Sequence, residues 1–526
     1  MPEHAPDFAT AFSRLEGSPL RRRPARGSFS WKHALRDPRA MPARAGGSAL
    51  VLCGLALAAM PYAAHAGTAP SRSRVLLTLC PSRESLRASL LDYADSVRAS
   101  QPPYAGEALH YAGVSYARAS LPDSAIACFL RAVAARRGDE ERLALADALL
   151  LRGREGDLEA TNALLAPAVD PNRDEYSMVP DACRARLAWA KLLAGETRPA
   201  YELFRSIEPL LDLDPVWGYR MARAFVEAGD PKRALAALQP LAIASREQDE
   251  EIMELAARAF ERFGDKGRLE AGISQSIADR DRSEGTLIQA MRGRRARFTA
   301  ADGFGLGGVV APADDKLRRA AVVLWAPGDT LESYDSLTVA LGRAGWAVLL
   351  MEVRGSGWSA APACPFPDSW VGRENAMQTV CAYDVRAALR ALSLVAKVDT
   401  TSYLLAGVGT TAPIAVEAAE LDDRVPALLL LSPAPAAVER GALREHIRRL
   451  QRPIYFSNAP EDFPQFETTE ALYQAGDRAR SRMADVKAPG SGARPFRRDR
   501  AAVQRLVTWL EETMPAPSAR VKKRSR

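Results

Sequence analysis

Leu404-Leu405-Ala406-Gly407-Val408-Gly409-Thr410-Thr411-Ala412-Pro413 starts as an apolar strand, turns over two glycines and opens a helix at a proline, a residue suited to a first helical turn. A turn this sharp lifts its central residue above the end of a sheet in a strained backbone conformation. That residue is Gly409, which tolerates the conformation but has no side chain to lift. A glycine there also relaxes the demand for small neighbours, and Thr411 occupies the second small position.

Around this turn, after Gly285, short apolar runs alternate with amphipathic stretches. The runs are Ala320–Leu324, Ala347–Met351, Tyr403–Ala406, Ala427–Leu431 and Ile454–Ser457. Ser336–Arg343, Ala376–Leu394, Ala412–Glu420, Val438–Leu450 and Ala501–Glu512 read as helices. Continuous apolar strands separated by helices predict a parallel sheet covered on both faces. Three further strings stand in order along the segment: Ala301-Asp302-Gly303-Phe304-Gly305-Leu306-Gly307-Gly308, Val353-Arg354-Gly355-Ser356-Gly357-Trp358-Ser359 and Arg424-Val425-Pro426 leading into Ala427–Pro433.

These strings and the turn at Gly409 resemble the α/β-hydrolase superfamily over about residues 295 to 514, as an opening hairpin, an R-G-x-G-x-S loop after strand four, strand six with its loop, and a G-x-S-x-G elbow. Carried over residue by residue, the resemblance puts the nucleophile at Gly409, the acid at Asp462 or Glu461, and the histidine at Ala493 in the loop Pro489–Phe496. No histidine follows His446, which precedes the acid instead of following it and is expected on the surface of its helix. The triad implied is degenerate, because an acid orients a histidine and cannot itself activate a hydroxyl. The loop Trp325-Ala326-Pro327-Gly328 would form the oxyanion side, where Pro327 offers no N–H. Thr410, Thr411, Trp325 and Gly328 would then line a residual pocket. Thr410, Ser356, Ser359 and Cys364 are the alternative nucleophiles, none with a histidine evidently placed to activate it.

Upstream, a turn signal recurs as Pro122-Asp123, Gly156-Asp157, Gly195-Glu196, Gly229-Asp230 and Gly264-Asp265, at spacings of 34, 39, 34 and 35 residues. Periods near this length mark stacked helix pairs that bury an apolar face against their neighbours. Gly113, Tyr116, Ala125, Phe129 and Ala132 give the first unit small residues at a helix crossing and aromatics to interlock, with Trp189, Phe225 and Phe260 as aromatics of later units. The first unit resembles a tetratricopeptide repeat and the others are degenerate, over roughly residues 70 to 285. The resemblance implies a concave face that takes a protein or peptide. By helical spacing that face carries Glu107, His110 and Val114 in the first helix, with His110 expected to be a packing or surface residue and not a ligand.

The expected fold class is therefore α + α/β, a helical-repeat solenoid over 67–285 followed by a mostly parallel α/β-hydrolase sheet over 290–515. Of the formal charge of +7, the first forty residues carry +4, Arg44 one more and the tail from Arg520 five, which leaves a body of −3. A mildly acidic body argues against a nucleic-acid partner, and the basic tail 516–526 reads as disordered and solvated. Residues 41–66 have the layout of a signal peptide, with Arg44, the apolar run Ala49–Met60 and Ala64-His65-Ala66 ahead of Gly67. Translation is expected to begin at Met41, with 1–40 outside the native protein or disordered. Pro61 cuts the run short of a bilayer span, so no membrane span is expected after cleavage.

Export to a periplasmic or extracellular compartment would permit disulfides among Cys80, Cys128, Cys183, Cys364 and Cys381, with Cys364 and Cys381 the best candidate pair. No clustered Cys/His spacing suggests a metal, and no cofactor is expected. The functional expectation is an exported scaffold or binding protein, inactive as a hydrolase, that takes a protein or peptide through the repeats and a small apolar ligand in the vacated pocket. The alternatives are an active esterase or peptidase with a non-standard nucleophile, and a second domain that merely caps the array.

Overall fold

The computed structural model of the chain describes residues 92, 94–99 and 105–515, except 119–120, 137, 170–178, 212–214, 248–249, 262–265, 302–303, 314–318, 360–373, 397, 436–439 and 463–464. The expected signal peptide 41–66, the stretch 1–40, the tail 516–526, and Cys80 and Cys364 lie outside the described residues.

Helices come first and in pairs: α1 (Ala105–Arg118) with α2 (Pro122–Arg136), α3 (Asp139–Arg152) with α4 (Asp157–Leu165), α5 (Val179–Leu193) with α6 (Thr197–Leu211), α7 (Pro215–Glu227) with α8 (Pro231–Ala244), and α9 (Glu250–Glu261) with α10 (Lys266–Ala290). Four of the five turn signals fall inside these pairs, and Gly264-Asp265 lies outside the described residues. The turns work through left-handed glycines, with a carboxylate cap at Asp230 and a carboxylate that ties the loop at Asp157. Gly156, Gly195 and Gly229 have φ of +87°, +83° and +81°, while Asp230 accepts the Arg233 N–H at 3.2 Å and Asp157 the Arg154 N–H at 2.7 Å. Within the first pair a Cβ on Gly113 would stand 2.4 Å from the Phe129 ring, so the two helices cross at a glycine. Trp189, Phe225 and Phe260 are buried as the spacing predicts.

The sheet follows as β1 (Arg294–Thr299), β2 (Gly305–Ala311), β3 (Arg319–Trp325), β4 (Trp346–Glu352), β5 (Asp399–Val408), β6 (Leu428–Leu431), β7 (Ile454–Asn458) and β8 (Arg482–Asp485). The described strands lie in the order β1-β2-β4-β3-β5-β6-β7-β8. β2 runs antiparallel to both β1 and β4, and the remaining pairs are parallel. This is a mostly parallel α/β-hydrolase-like sheet behind a helical region, the fold class expected. β4 and β6 are buried along their whole length, as central strands covered on both faces must be. One face carries α12 (Glu374–Ala396), α13 (Ala412–Leu421), α14 (Arg440–Leu450) and α15 (Gln465–Ala475). The other carries α11 (Asp335–Arg343) and α16 (Arg500–Thr513). The edge strands β1 and β8 are short, charged and half exposed, and an apolar run does not reveal them.

The array docks on the sheet domain through α1, and this corrects two expectations. Glu107, His110 and Val114 do not line an open concave face, because α14 lies against α1: Arg448 and Arg444 pair with Glu107 at 2.7 and 3.4 Å, and Arg444 reaches Glu140 at 3.1 Å. His110 is buried against Gly441, and Ala442 joins the core of the array. His446 is likewise buried and not on the surface. Its Nδ1 lies 2.7 Å from Glu420, and its ring meets Tyr111 edge-on at 5.0 Å. The side of α14 that meets α1 carries Arg444, His446 and Arg448, and helical spacing does not show that a distant helix will cover it.

The last helix of the array also runs past the change of pattern at Gly285 to Ala290, where Ile288 and Met291 enter the core beneath the sheet. Cys381 is buried on α12. Because Glu107 anchors two arginines across the seam, Glu107→Ala leaves both half-buried charges without it. The expected cost is about 1–3 kcal/mol of stability, read as a lower urea midpoint, and an unchanged midpoint would contradict this docking.

Candidate functional site

The centre of the site is the turn at the end of β5. Gly409 takes φ of +55°, followed by a 3-10 turn, Gly409–Thr411, that runs into α13. A Cβ on Gly407 would come within 2.7 Å of the Ala412 Cα and 2.8 Å of the Ala415 Cβ, so strand and helix approach as closely as a glycine allows. A Cβ on Gly409 would instead meet one atom, the Ala326 Cβ, at 3.8 Å. The elbow thus has the shape and the room for a raised side chain, and carries none. Thr411 is not a pocket residue. It is buried with its hydroxyl turned inward, accepting the Val408 N–H at 2.9 Å and within reach of the Val408 and Leu324 carbonyls at 2.9 and 3.2 Å. Thr410, next to the apex, is exposed.

Facing the elbow is the loop after β3, where an oxyanion would need free backbone donors. The Ala326 N–H donates to the Tyr334 hydroxyl at 2.9 Å, and that hydroxyl donates to Asp329 at 2.9 Å. Trp325, expected to line an open pocket, is buried and its indole N–H donates to the Asp329 carbonyl at 3.2 Å. Gly328 is exposed with φ of +83°. What remains beside them is a cavity of about 10 Å³, the room of about one water, bordered by the carboxylates of Asp329 and Glu352 and closed from the array by Ala244 and Arg280. Burial raises the Asp329 carboxyl above the usual range, against the opposing pull of Tyr334 and Arg494. Glu352, at the end of β4, is raised by burial too, against Arg295.

The other two positions converge on the same end of the sheet. The loop expected to hold the histidine covers the elbow, since a Cβ on Gly492 would stand 2.9 Å from Val408 and 3.7 Å from Asp329. Ala493, beside it, is buried. Asp462, after β7, bonds to Ser491 of that loop and to Ser432 after β6, and burial raises its carboxyl despite both hydroxyls. Glu461 is exposed. Turned to its better-bonded orientation, the Asn458 amide donates to Asp462 at 3.1 Å and to Ser432 at 2.9 Å. The described residues therefore bring together a glycine, an acid and an alanine where the resemblance placed a nucleophile, an acid and a base.

Of the alternative nucleophiles, Ser356 donates to the Val353 carbonyl at 2.8 Å, and Ser359 donates to the Glu352 carbonyl and accepts the Gly307 N–H, each at 2.8 Å. Both hydroxyls brace the loop after β4. Asp329, Tyr334 and Arg494, whose guanidinium reaches Asp329 at 3.2 Å, were not legible as site residues. Asp329 and Tyr334 stand five residues apart in the connection from β3 to α11, and Arg494 comes from the connection between β8 and α16. Among the described residues no group of three or more His, Cys, Asp or Glu could hold a metal, and no helix is long and apolar enough to cross a membrane.

No protein-family model matches the chain, and none of the curated proteins does. Among solved structures it is similar to the esterase domain of a Rhodothermus marinus protein, with 18% identity over 42% of this chain and 98% of that one and a TM-score of 0.31. An α/β hydrolase from Penicillium sp. sh18 is 14% identical over 42% and 99%, with a TM-score of 0.34. An esterase of Pyrococcus furiosus is 13% identical over 43% and 95%, with a TM-score of 0.35.

In an unfolded chain the Asp462 carboxyl titrates near 4, and in the folded protein burial raises that value. Ionisation then opposes folding, so this group costs stability as pH rises from about 4 through the folded value. Asp462→Asn is expected to raise the urea midpoint at pH 7 by more than it does at pH 4. A larger gain at pH 4 would contradict the sign.

Proposed function

We propose that this chain is an exported two-domain binding protein whose hydrolase-like domain performs no hydrolysis. One observation carries the reading. Where acyl transfer needs a free N–H pointing at a developing oxyanion, the Ala326 N–H is already taken by Tyr334, with the carboxylate of Asp329 behind it. An oxyanion-hole donor is worth about 2.7–4 kcal/mol of transition-state stabilisation, and a neighbouring carboxylate acts with the opposite sign. The apex glycine removes the attacking atom, and Ala493 cannot act as a base. Asp462 has no histidine to orient among the described residues.

The paired helices, with turn glycines at a near-regular spacing and the Gly113–Phe129 crossing, support a tetratricopeptide-like array. Its first helix grips the chain's own α14, which supports a joint body in which the second domain caps the array and partners reach its remaining surface. Export rests on the leader at 41–66, and N-terminal sequencing of the exported form should begin at Gly67.

The runner-up, an esterase or peptidase, is favoured by one feature, the exposed Thr410 beside the apex. Activated p-nitrophenyl esters separate the two readings. The wild type should give no turnover above buffer, and Gly409→Ser should fold at a cost of about 1–2 kcal/mol for its left-handed φ and remain inactive. Turnover by the wild type that Thr410→Val abolishes would overturn the proposal in favour of the runner-up.

A further inference from the structure

A cleft of about 400 Å³ opens at the seam between array and sheet, lined by Arg246, Glu247, Ser274, Ile277, Arg297 and Trp358. It adjoins the small cavity beside the elbow, with Gly357 bordering both, and its size is that of a small-molecule site. Its walls come from four places in the chain: the end of α8, the outer face of α10, strand β1 and the loop after β4.

Two features mark it as built. Arg246 and Glu247 follow one another with φ of +55° and +59°, successive non-glycine residues in the left-handed region. L-residues adopt that conformation at a cost, and it persists where surrounding structure holds it, often at functional sites. Trp358 is fixed in the opposite wall, its backbone N–H donating to Glu352 at 2.8 Å and its Cβ lying where a Cβ on Gly307 would clash. Three guanidiniums surround its ring, those of Arg246 at 4.0 Å, Arg297 at 4.8 Å and Arg295 at 5.3 Å.

The charges are not all matched within the protein. Arg246 is neutralised by Asp281 at 2.9 Å, and Arg295 by Glu284 and Glu352. Arg297 stacks on Trp358 but has no ion pair among the described residues. Glu247 accepts a hydrogen bond from Ser274 at 3.3 Å and likewise has no cation among them. One unmatched cation and one unmatched carboxylate thus share a cleft with the apolar surfaces of Ile277 and Trp358.

We propose that this cleft binds a small zwitterion with an apolar body, an α-amino acid or short peptide. Its carboxylate pairs with Arg297, its ammonium with Glu247, and its side chain lies against Ile277 and Trp358. A guanidinium held flat on an indole keeps its N–H edge available to a carboxylate. The inference does not rest on the inactivity of the elbow, because binding is read and not turnover.

Isothermal titration of the full chain with leucine, glycyl-leucine, N-acetylleucine and leucinamide tests it. Leucine or glycyl-leucine should bind saturably, and the better of the two identifies a free amino acid or a peptide as the source. N-acetylleucine and leucinamide, each lacking one charge, should bind about tenfold or more weakly. Arg297→Gln should erase the preference over leucinamide and Glu247→Gln the preference over N-acetylleucine. Neither side chain has an ion pair to lose, so both variants should keep the wild-type melting midpoint. Equal affinity for all four probes, or no saturable binding of either zwitterion up to about 10 mM, would overturn the proposal.

Discussion

A single hydroxyl holds the turn on which the C-terminal domain depends. Thr411 Oγ1 accepts the Val408 N–H and lies within hydrogen-bond reach of the Val408 and Leu324 carbonyls, so it joins the end of β5 to the start of α13 and to β3. Left unmet, a buried N–H costs on the order of 1–3 kcal/mol. This explains why a threonine stands where a second small residue was expected. With no reactive side chain to present, the turn is braced from within. Gly407 and Gly409 supply the close approach and the left-handed backbone that the brace holds.

The same economy runs through the loops that face the turn. In an acyl-transfer site, backbone donors stay free and point at charge that appears later. Here Ala326, Tyr334 and Asp329 form a closed chain, Trp325 is tied to the Asp329 carbonyl, and Arg494 closes the outer side. Asp462 is used in the same way, bonded to serines of the neighbouring loops. These described groups are satisfied by other groups of the protein. The array adds a further closure, as α1 covers α14 and Ala244 and Arg280 border what remains of the cavity.

Much of the architecture was legible because its signals are local. Five apolar runs placed β3 to β7, and the strings at Gly355 and Gly409 fell at the ends of β4 and β5. Turn glycines with a carboxylate beside them placed the helix pairs. Of the edge strands, β1 was reached only through the resemblance of 301–308 to an opening hairpin and β8 was missed, because edges carry charge instead of an apolar run. The candidate site was legible in the three positions that the resemblance placed and not in the network that fills it. Asp329, Tyr334 and Arg494 meet through folding, and no spacing between them is fixed by a helix or a strand. Glu107, His110 and His446 were misplaced for a related reason, since helical periodicity identifies a face but not what covers it. The charges of Glu247 and Arg297, with no ion pair among the described residues, were equally invisible before the seam was closed.

The central claim is that this hydrolase-like domain keeps its elbow and has no atom there able to attack an electrophile. Intact-mass measurement of the full chain after prolonged incubation with a fluorophosphonate tests it without assuming a substrate. The account predicts an unshifted mass. A single stoichiometric adduct mapping to Thr410, or to any other residue at the end of β5, would contradict it.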